Sequence, residues 1–308
     1  MNTQRFVGLD LGGTNIKVAI VETSEESATP SVMSTAQYAT HADRGPQGVT
    51  DRLIEVGRAT VEEVGHIDAA GLGVPGLFEP DTGRIVLFPN LPGPWSGHSL
   101  RDPVGEALGV PTALINDARA FVLAEGTVGA GRGCHTLIGL TLGTGIGGGI
   151  MIDGRIHLGE FGTGGEVGHQ IVVPDGPLCG CGNRGCVEAL ARADTLAALA
   201  GQPDAATVYH LAAGGDKACL EAINTVATYI GIGLANVVTL LGPSCIVIGG
   251  GIVASGELVL GPIREAMRSR VTLAPADDVA VVPAELGNWA GAIGAALAGR
   301  AQLEVRSR

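Results

Sequence analysis

Three cysteines and one histidine form a dense group of possible metal ligands. Cys179, Cys181 and Cys186 lie within eight positions of one another, and His169 stands ten residues before the first of them. Thiolate sulfur and imidazole nitrogen are the ligands that zinc prefers in proteins. Carboxylates flank the group, Glu166 before it and Glu188 after it. The segment could therefore be a metal site, a disulfide knot or a catalytic site.

The expected compartment favours a metal over a disulfide. The opening stretch MNTQRFVGLDLGG lacks the apolar core of a signal peptide, and apolar stretches elsewhere are interrupted before they reach membrane-span length. We therefore expect a cytoplasmic protein, and disulfides are rare in that compartment. The other cysteines, Cys134, Cys219 and Cys245, stand among apolar residues and are expected to be small buried side chains.

Length and charge narrow the class of protein. The chain has 308 residues, enough for one large α/β domain or for two lobes that each bury a core. Its 19 basic and 31 acidic residues give a formal net charge of -12. This balance offers no basic surface to nucleic acid or to anionic membranes, so neither is expected as a partner.

Two glycine-rich turns each lie between predicted strands. Apolar residues alternate on both sides of the glycines in residues 6–22 and again in 137–159. VGLDLGGT at 7–14 and IGLTLGTG at 138–145 share one pattern at an offset of 131 residues, which predicts two lobes built on one plan. Backbone N–H groups in such turns can approach phosphate oxygens, and Asp10 is a candidate carboxylate for Mg²⁺.

The glycines also allow other interpretations. Residues 143–148 match the G-x-G-x-x-G dinucleotide fingerprint, but that motif requires a helix after the glycines and a strand is predicted here, so NAD is disfavoured. No Walker A motif occurs. A third cluster, residues 249–251, follows a predicted buried strand that comes after a long helical pattern at 223–241. It could approach adenine or simply form a strand-to-helix turn.

Residues 111–126 are predicted to form a short strand followed by a helix. Asn116 and Asp117 lie at the start of that helix. An aspartate at a helix start is most often an N-cap. Strand ends are also where α/β proteins place their chemistry. There a carboxylate could accept the proton of a sugar hydroxyl while Asn116 binds a second hydroxyl.

Six motifs in order carry a family resemblance: LDLGGTNIK, GVPG, NDARA, LGTGIGGGI, GGEVGH and CGCGNRGCVE. Together they resemble the ROK family of sugar kinases, and within it the bacterial ATP-dependent glucokinases, over essentially the whole chain. The resemblance implies an α/β, two-lobed, actin-like (ribonuclease-H-like) fold with a duplicated βββαβα core and a cleft between the lobes. The first lobe is expected at 1–117, completed by a C-terminal helix at about 290–308, and the second at 118–289.

The resemblance also implies an activity and its residues. The activity is ATP-dependent phosphorylation of glucose at the 6-hydroxyl, with Asp117 as the catalytic base. The implied hexose ligands are Asn90, Asn116, Asp117, Glu166, His169 and Glu188. The implied Mg-ATP site comprises Asp10, Gly12, Gly13, Thr14, Lys17, Thr141, Gly143, Thr144, Gly249, Gly250 and Gly251. Asn15 departs from the pattern because many relatives carry lysine there, which leaves the nucleotide contacts open.

The cysteine segment is then best interpreted as a structural Zn²⁺ site. His169, Cys179, Cys181 and Cys186 make a complete tetrahedral set with no position for a catalytic water. The site would position Glu166 and Glu188 for the hexose, and His169 could use its second ring nitrogen for the sugar. Nucleotide binding at the glycine turns, taken to be distant, is expected to survive loss of the metal. A homodimer is the family expectation.

The same motifs are compatible with several other activities. The hexose could be mannose, fructose, N-acetylmannosamine or N-acetylglucosamine, and the donor could be polyphosphate. A sugar sensor without kinase activity and an actin-like ATPase acting on protein partners are rivals from other classes. No helix-turn-helix segment precedes Phe6, which disfavours the repressor branch of the family.

Overall fold

The computed structural model describes residues 3–24, 27–89 and 91–306. Its strands, in chain order, are β1 (Thr3–Leu11), β2 (Asn15–Ser24), β3 (Ser27–Ala39), β4 (Ala69–Val74), β5 (Leu77–Phe78), β6 (Ile85–Leu87), β7 (Thr112–Asn116), β8 (Thr136–Leu142), β9 (Ile146–Ile152), β10 (Arg155–Ile156), β11 (Cys245–Gly249) and β12 (Ala280–Pro283). Its α-helices are α1 (Gly45–Val64), α2 (Arg101–Leu108), α3 (Asp117–Val128), α4 (Val187–Ala191), α5 (Ala193–Leu199), α6 (Ala205–Ala213), α7 (Lys217–Leu241), α8 (Glu257–Arg268) and α9 (Ala290–Arg306).

The chain divides into two compact units. The first comprises Met1–Gly129 and Asn288–Arg308, so it includes α3 and α9, and the second comprises Ala130–Gly287. The division predicted from the sequence falls after residue 117, which is the first residue of α3, and it stays a prediction.

The first unit is built on a five-stranded sheet with the order β3-β2-β1-β4-β7. β1, β2 and β3 form an antiparallel meander, whereas β4 and β7 run parallel to β1. The apolar spacing of α1 places Val49, Leu53 and Val56 on one helical face, and this face is buried in the core with residues such as Leu9. The parallel strands β1, β4 and β7 end at the same edge of this sheet, and the core formed with α1 packs against it.

The second unit repeats this plan. Its sheet has the order β10-β9-β8-β11-β12, with β8, β9 and β10 antiparallel and β11 and β12 parallel to β8. The matching strand orders confirm the internal repeat that the glycine motifs predicted. The helix predicted from the pattern at 223–241 is confirmed as part of α7.

α7 has a length and an apolar composition that would also suit a membrane span. More than half of that apolar window is buried inside the protein, 56%, which is typical of a core helix.

Candidate active site and metal centre

The first glycine turn joins β1 to β2, as the alternation of apolar residues predicted. Leu11 and Ile16 are the last paired residues, and the Gly12 N–H donates to the Asn15 carbonyl at 2.9 Å across the turn. Gly13 and Thr14 are exposed at its tip. The turn thus presents backbone groups with little side-chain cover.

Asp10 stands near the end of β1, opposite Lys17 on β2 and Gly73 on β4. Desolvation raises the pKa of this partly buried carboxyl to about 6; the negative charge of Asp117 adds to the rise and the positive charge of Lys17 opposes it. Asp10 also packs against the first turn of α9, where a Cβ on residue 291 would lie 2.5 Å from its Oδ2. Only Gly291 leaves room for the carboxylate.

Asn116 and Asp117 lie at the junction of β7 and α3, and their capping roles differ from the simplest expectation. The N-cap is Asn116, whose Oδ1 accepts from the N–H groups of Ala118 and Arg119 at 3.1 and 3.3 Å. Its Nδ2 donates to the Gly76 carbonyl at 3.1 Å. Asp117 is the first helical residue, and its exposed side chain accepts from the Ala118 N–H at 2.8 Å. Asn90, the other predicted hexose ligand of this region, lies outside the described residues.

The second glycine turn joins β8 to β9, so a strand occupies the place where a dinucleotide fingerprint needs a helix. Leu142 pairs with Ile146, which makes this turn one residue shorter than the first, and the Gly143 N–H donates to the Gly145 carbonyl at 3.0 Å. Gly143 and Thr144 are exposed, as Gly13 and Thr14 are in the first turn.

The third glycine cluster lies beside the second turn within the same unit. Gly249 pairs with Thr141 where the parallel strands β8 and β11 end. A short 3-10 turn at Gly251–Ser255 then leads into α8, so the cluster is a strand-to-helix connection. Thr141, the second glycine turn and Gly249 to Gly251 are therefore neighbours at one edge of the sheet.

The three cysteines and His169 come together in the second unit. Their ligand atoms all lie within 4.8 Å of one another. Cys181 Sγ lies 3.8 Å from Cys186 Sγ, and Cys179 Sγ lies 3.6 Å from His169 Nδ1. Zinc–ligand bonds of about 2.3 Å to sulfur and 2.0 Å to nitrogen imply tetrahedral edges of about 3.8 Å and 3.5 Å. The donor set and its spacing thus fit a four-coordinate metal ion.

Short elements hold the four ligands in place. His169 ends a 3-10 turn that begins at Val167, and Cys186 is the N-cap of α4. The loop between them is closed by bridges that pair Ile171 with Cys186 and Leu178 with Arg184. Desolvation raises the pKa of Cys186 to about 12, whereas the backbone N–H of Asn183 lowers the pKa of Cys181.

Glu188 links the cysteine cluster to the second glycine turn. The Cys179 thiol donates to Oε1 of Glu188 at 3.5 Å, and the Ile146 N–H donates to Oε2 at 2.9 Å. A Cβ on residue 145 would lie 2.7 Å from that same Oε2, so the close approach requires Gly145. The sequence motifs did not reveal this contact, because its partners are 42 residues apart.

Glu166, the other carboxylate predicted to bind the hexose, contacts the cysteine cluster through its backbone carbonyl. It immediately precedes the 3-10 turn, and its carbonyl accepts from the His169 N–H at 3.1 Å. The backbone of His169 is therefore held by the residue before the turn, and its ring lies against Cys179.

Comparison with known proteins identifies the family. The ROK family model matches residues 6–301, and the chain belongs to that family. It is 35% identical over 314 residues to a glucokinase of Thermotoga maritima, covering 95% of this chain and 96% of that one.

Solved structures agree. A ROK hexokinase from Thermus thermophilus superposes with a TM-score of 0.87 at 36% identity, covering 99% of this chain and 100% of that one. A ROK family glucokinase from Streptomyces griseus, in complex with glucose and AMPPNP, gives a TM-score of 0.75 at 33% identity, covering 96% and 99%. The α/β actin-like fold class with a duplicated core is confirmed.

Proposed function

We propose that this protein transfers the γ-phosphoryl group of ATP to the 6-hydroxyl of glucose. One observation carries the proposal: Asp117 is an exposed carboxylate at the start of α3, and its charge acts on Asp10 beside the first glycine turn. A proton acceptor and a candidate phosphate turn thus lie in the same unit. The matching glucokinase of Thermotoga maritima, similar over nearly the whole chain, supports the choice of substrate.

Asp117 has the role of general base in this proposal. As the sugar O6 attacks the γ-phosphorus, the O6–P bond forms, the bond from phosphorus to the bridging oxygen of ADP breaks, and Asp117 takes the hydroxyl proton. The Ala118 N–H that donates to its Oδ1 holds the carboxylate in one orientation. Asn116 has its Oδ1 engaged by the helix, so it would offer the second N–H of Nδ2 to a sugar hydroxyl.

The glycine turns would bind the phosphates. Exposed backbone at Gly13 and Thr14, and at Gly143 and Thr144, offers phosphate-binding groups without bulky side chains, and Gly12 leaves space beside them. Mg²⁺, when bound, neutralises charge on the phosphate oxygens. Asp10 suits it as a ligand or as the acceptor for its bound water, because hard cations prefer carboxylate oxygen. Lys17 lies across the strand pair from Asp10. Thr141 would join Gly143 and Thr144 in binding the phosphates, and Gly249, Gly250 and Gly251 would form the adenosine side.

The cysteine cluster would hold a structural Zn²⁺ beside the hexose ligands. Four protein ligands complete a tetrahedron, so the ion would fix the loop and leave the chemistry to Asp117. His169 presents Nδ1 to the cysteines, which leaves Nε2 for a sugar hydroxyl. Glu166 and Glu188, which adjoin His169 and Cys179, would accept further hydroxyls. A homodimer and a cytoplasmic location remain predictions.

An ADP-release assay that omits one substrate at a time tests the proposal. A glucose kinase releases ADP only when glucose is present with ATP and Mg²⁺. A sugar sensor binds glucose and releases no ADP, and an ATPase releases ADP at the same rate without sugar. Either of the last two results would overturn the proposal, and replacing glucose by mannose, fructose and the two N-acetylhexosamines ranks the hexoses in the same assay.

A further inference from the structure

Thr40 follows β3, lies outside every motif, and is fully buried at 0% exposure. Both of its donors reach the first glycine turn. Its hydroxyl donates to the Gly12 carbonyl at 2.7 Å, and its backbone N–H donates to the Thr14 carbonyl at 2.9 Å. A single buried residue therefore binds two carbonyls of the turn.

Fixing the Gly12 carbonyl also fixes a donor. In a planar trans peptide the C=O of one residue and the N–H of the next point in opposite directions. Because the Gly12 carbonyl points inward to Thr40, the Gly13 N–H points away from it, at a residue that is exposed. Glycine has little conformational preference of its own, so this orientation needs an external restraint.

The second turn has the same restraint from a different element. Gly143 occupies the position that corresponds to Gly12 in the repeat, and its carbonyl accepts from the Ala193 N–H at 3.0 Å, at the start of α5. Two turns with unrelated surroundings thus fix the same carbonyl from outside the hairpin. A purely local packing preference would not produce this recurrence.

We propose that Thr40 is a positioning residue that orients the Gly13 N–H toward bound phosphate. The inference rests on the proposed function, since it takes the first turn to be a phosphate site. Thr40 itself touches no substrate. Its hydroxyl keeps the turn in its binding conformation before the ligand arrives, so that little ordering remains to oppose binding.

The test compares three variants by calorimetric titration with the ATP analogue AMPPNP and Mg²⁺. Thr40→Val keeps the side-chain shape and removes the hydroxyl; loss of one such hydrogen bond predicts about a tenfold weaker affinity for AMPPNP. Thr40→Ser keeps the hydroxyl and is expected to restore most of the affinity. Thr60→Val is the matched control, because Thr60 is also buried, at 4% exposure, and its hydroxyl donates to the Val56 carbonyl inside α1.

The outcomes separate this inference from the proposed function. Wild-type affinity in Thr40→Val, or an equal loss in Thr60→Val, would overturn the role of Thr40. If the tenfold loss appears but the wild type phosphorylates no hexose, the positioning role stands and the proposed function fails. Wild-type protein that does not bind AMPPNP overturns both. If Thr40→Val does not fold, Thr40→Ala removes the same hydroxyl without the added methyl group and carries the same expectation.

Discussion

The backbone N–H of Ile146 donates to Glu188 Oε2 at 2.9 Å, and the other oxygen of that carboxylate lies 3.5 Å from Cys179 Sγ. One side chain therefore contacts both the second glycine turn and the cysteine cluster. Sequence motifs suggested that the metal loop and the turns were distant from each other, and for the second turn this expectation is wrong. A change in the cysteine cluster should therefore alter the conformation of the second glycine turn as well as the position of the predicted sugar ligands.

Cys181→Ser tests the metal site and this link. Serine oxygen is a poor substitute for a thiolate, so metal content measured by elemental analysis should fall from about one zinc per chain. Thermal stability and glucose affinity should fall with it, and AMPPNP affinity should weaken through Glu188. Cys134→Ser, a change outside the cluster, is the control and should keep its zinc. Full zinc content with unaltered glucose affinity in Cys181→Ser would contradict a structural zinc that positions the sugar ligands.

Gly145→Ala tests the contact without touching the cluster. The added Cβ would lie 2.7 Å from Glu188 Oε2, so the carboxylate must move and the Ile146 hydrogen bond should weaken. Overpacking of this kind costs about 1–3 kcal/mol in the free energy of unfolding, measurable by urea denaturation. Gly261→Ala, inside α8, is the control, since a Cβ there would meet only Glu257 Oε2 at 3.8 Å, an ordinary contact. Equal stability of the two variants would show that Glu188 does not occupy this position.

Asp10→Asn should stabilise the protein free of nucleotide, in a pH-dependent way. The pKa of Asp10 is raised from 3.8 to about 6, so the folded state binds this proton more tightly than the unfolded state does. Wild-type stability is therefore lost as the pH rises from about 4 to about 6, by up to about 3 kcal/mol. Asparagine does not titrate, so its advantage should be full above pH 6 and vanish toward pH 4.

The measurement for Asp10 is urea unfolding across that pH range. Asp81→Asn removes an exposed carboxylate and controls for the net charge of -12. An equal gain in both variants would assign the effect to general repulsion instead of to desolvation of Asp10. Asp10→Asn should at the same time weaken Mg-ATP binding, because a carboxylate that binds the ligand can lower the stability of the ligand-free protein.

Asp117→Asn should lower turnover by at least about a hundredfold while glucose still binds, because the shape is kept and the proton acceptor is lost. Steady-state kinetics and a glucose titration check the two parts separately. Asp102→Asn changes an exposed aspartate in the first turn of α2 and should stay near wild type. Near-normal turnover in Asp117→Asn would remove that residue from the role of base.

The sequence predicted those parts of the fold that are determined by residues close together in the chain. The alternation of apolar residues predicted the strands on both sides of the first turn. Apolar residues spaced three or four apart predicted α7. The internal repeat predicted matching sheets, because both turns follow one pattern of apolar and glycine residues. The start of α3 was also local, although its cap proved to be Asn116.

Contacts between distant segments could not be predicted in this way. Thr40 reaches Gly12 from 28 residues away, and Gly291 makes room for Asp10 from the far end of the chain. Neither has a motif of its own, since each matters only through sheet register and helix packing. Such residues become visible only when the backbone is known.

Phosphorus NMR of the reaction of wild-type protein with ATP, Mg²⁺ and glucose tests the central claim most directly. We expect equal amounts of ADP and of a phosphate ester at the 6-position of glucose, with both signals reduced at least about a hundredfold by Asp117→Asn. ADP with inorganic phosphate and no sugar ester, or an ester at another hydroxyl, would contradict it.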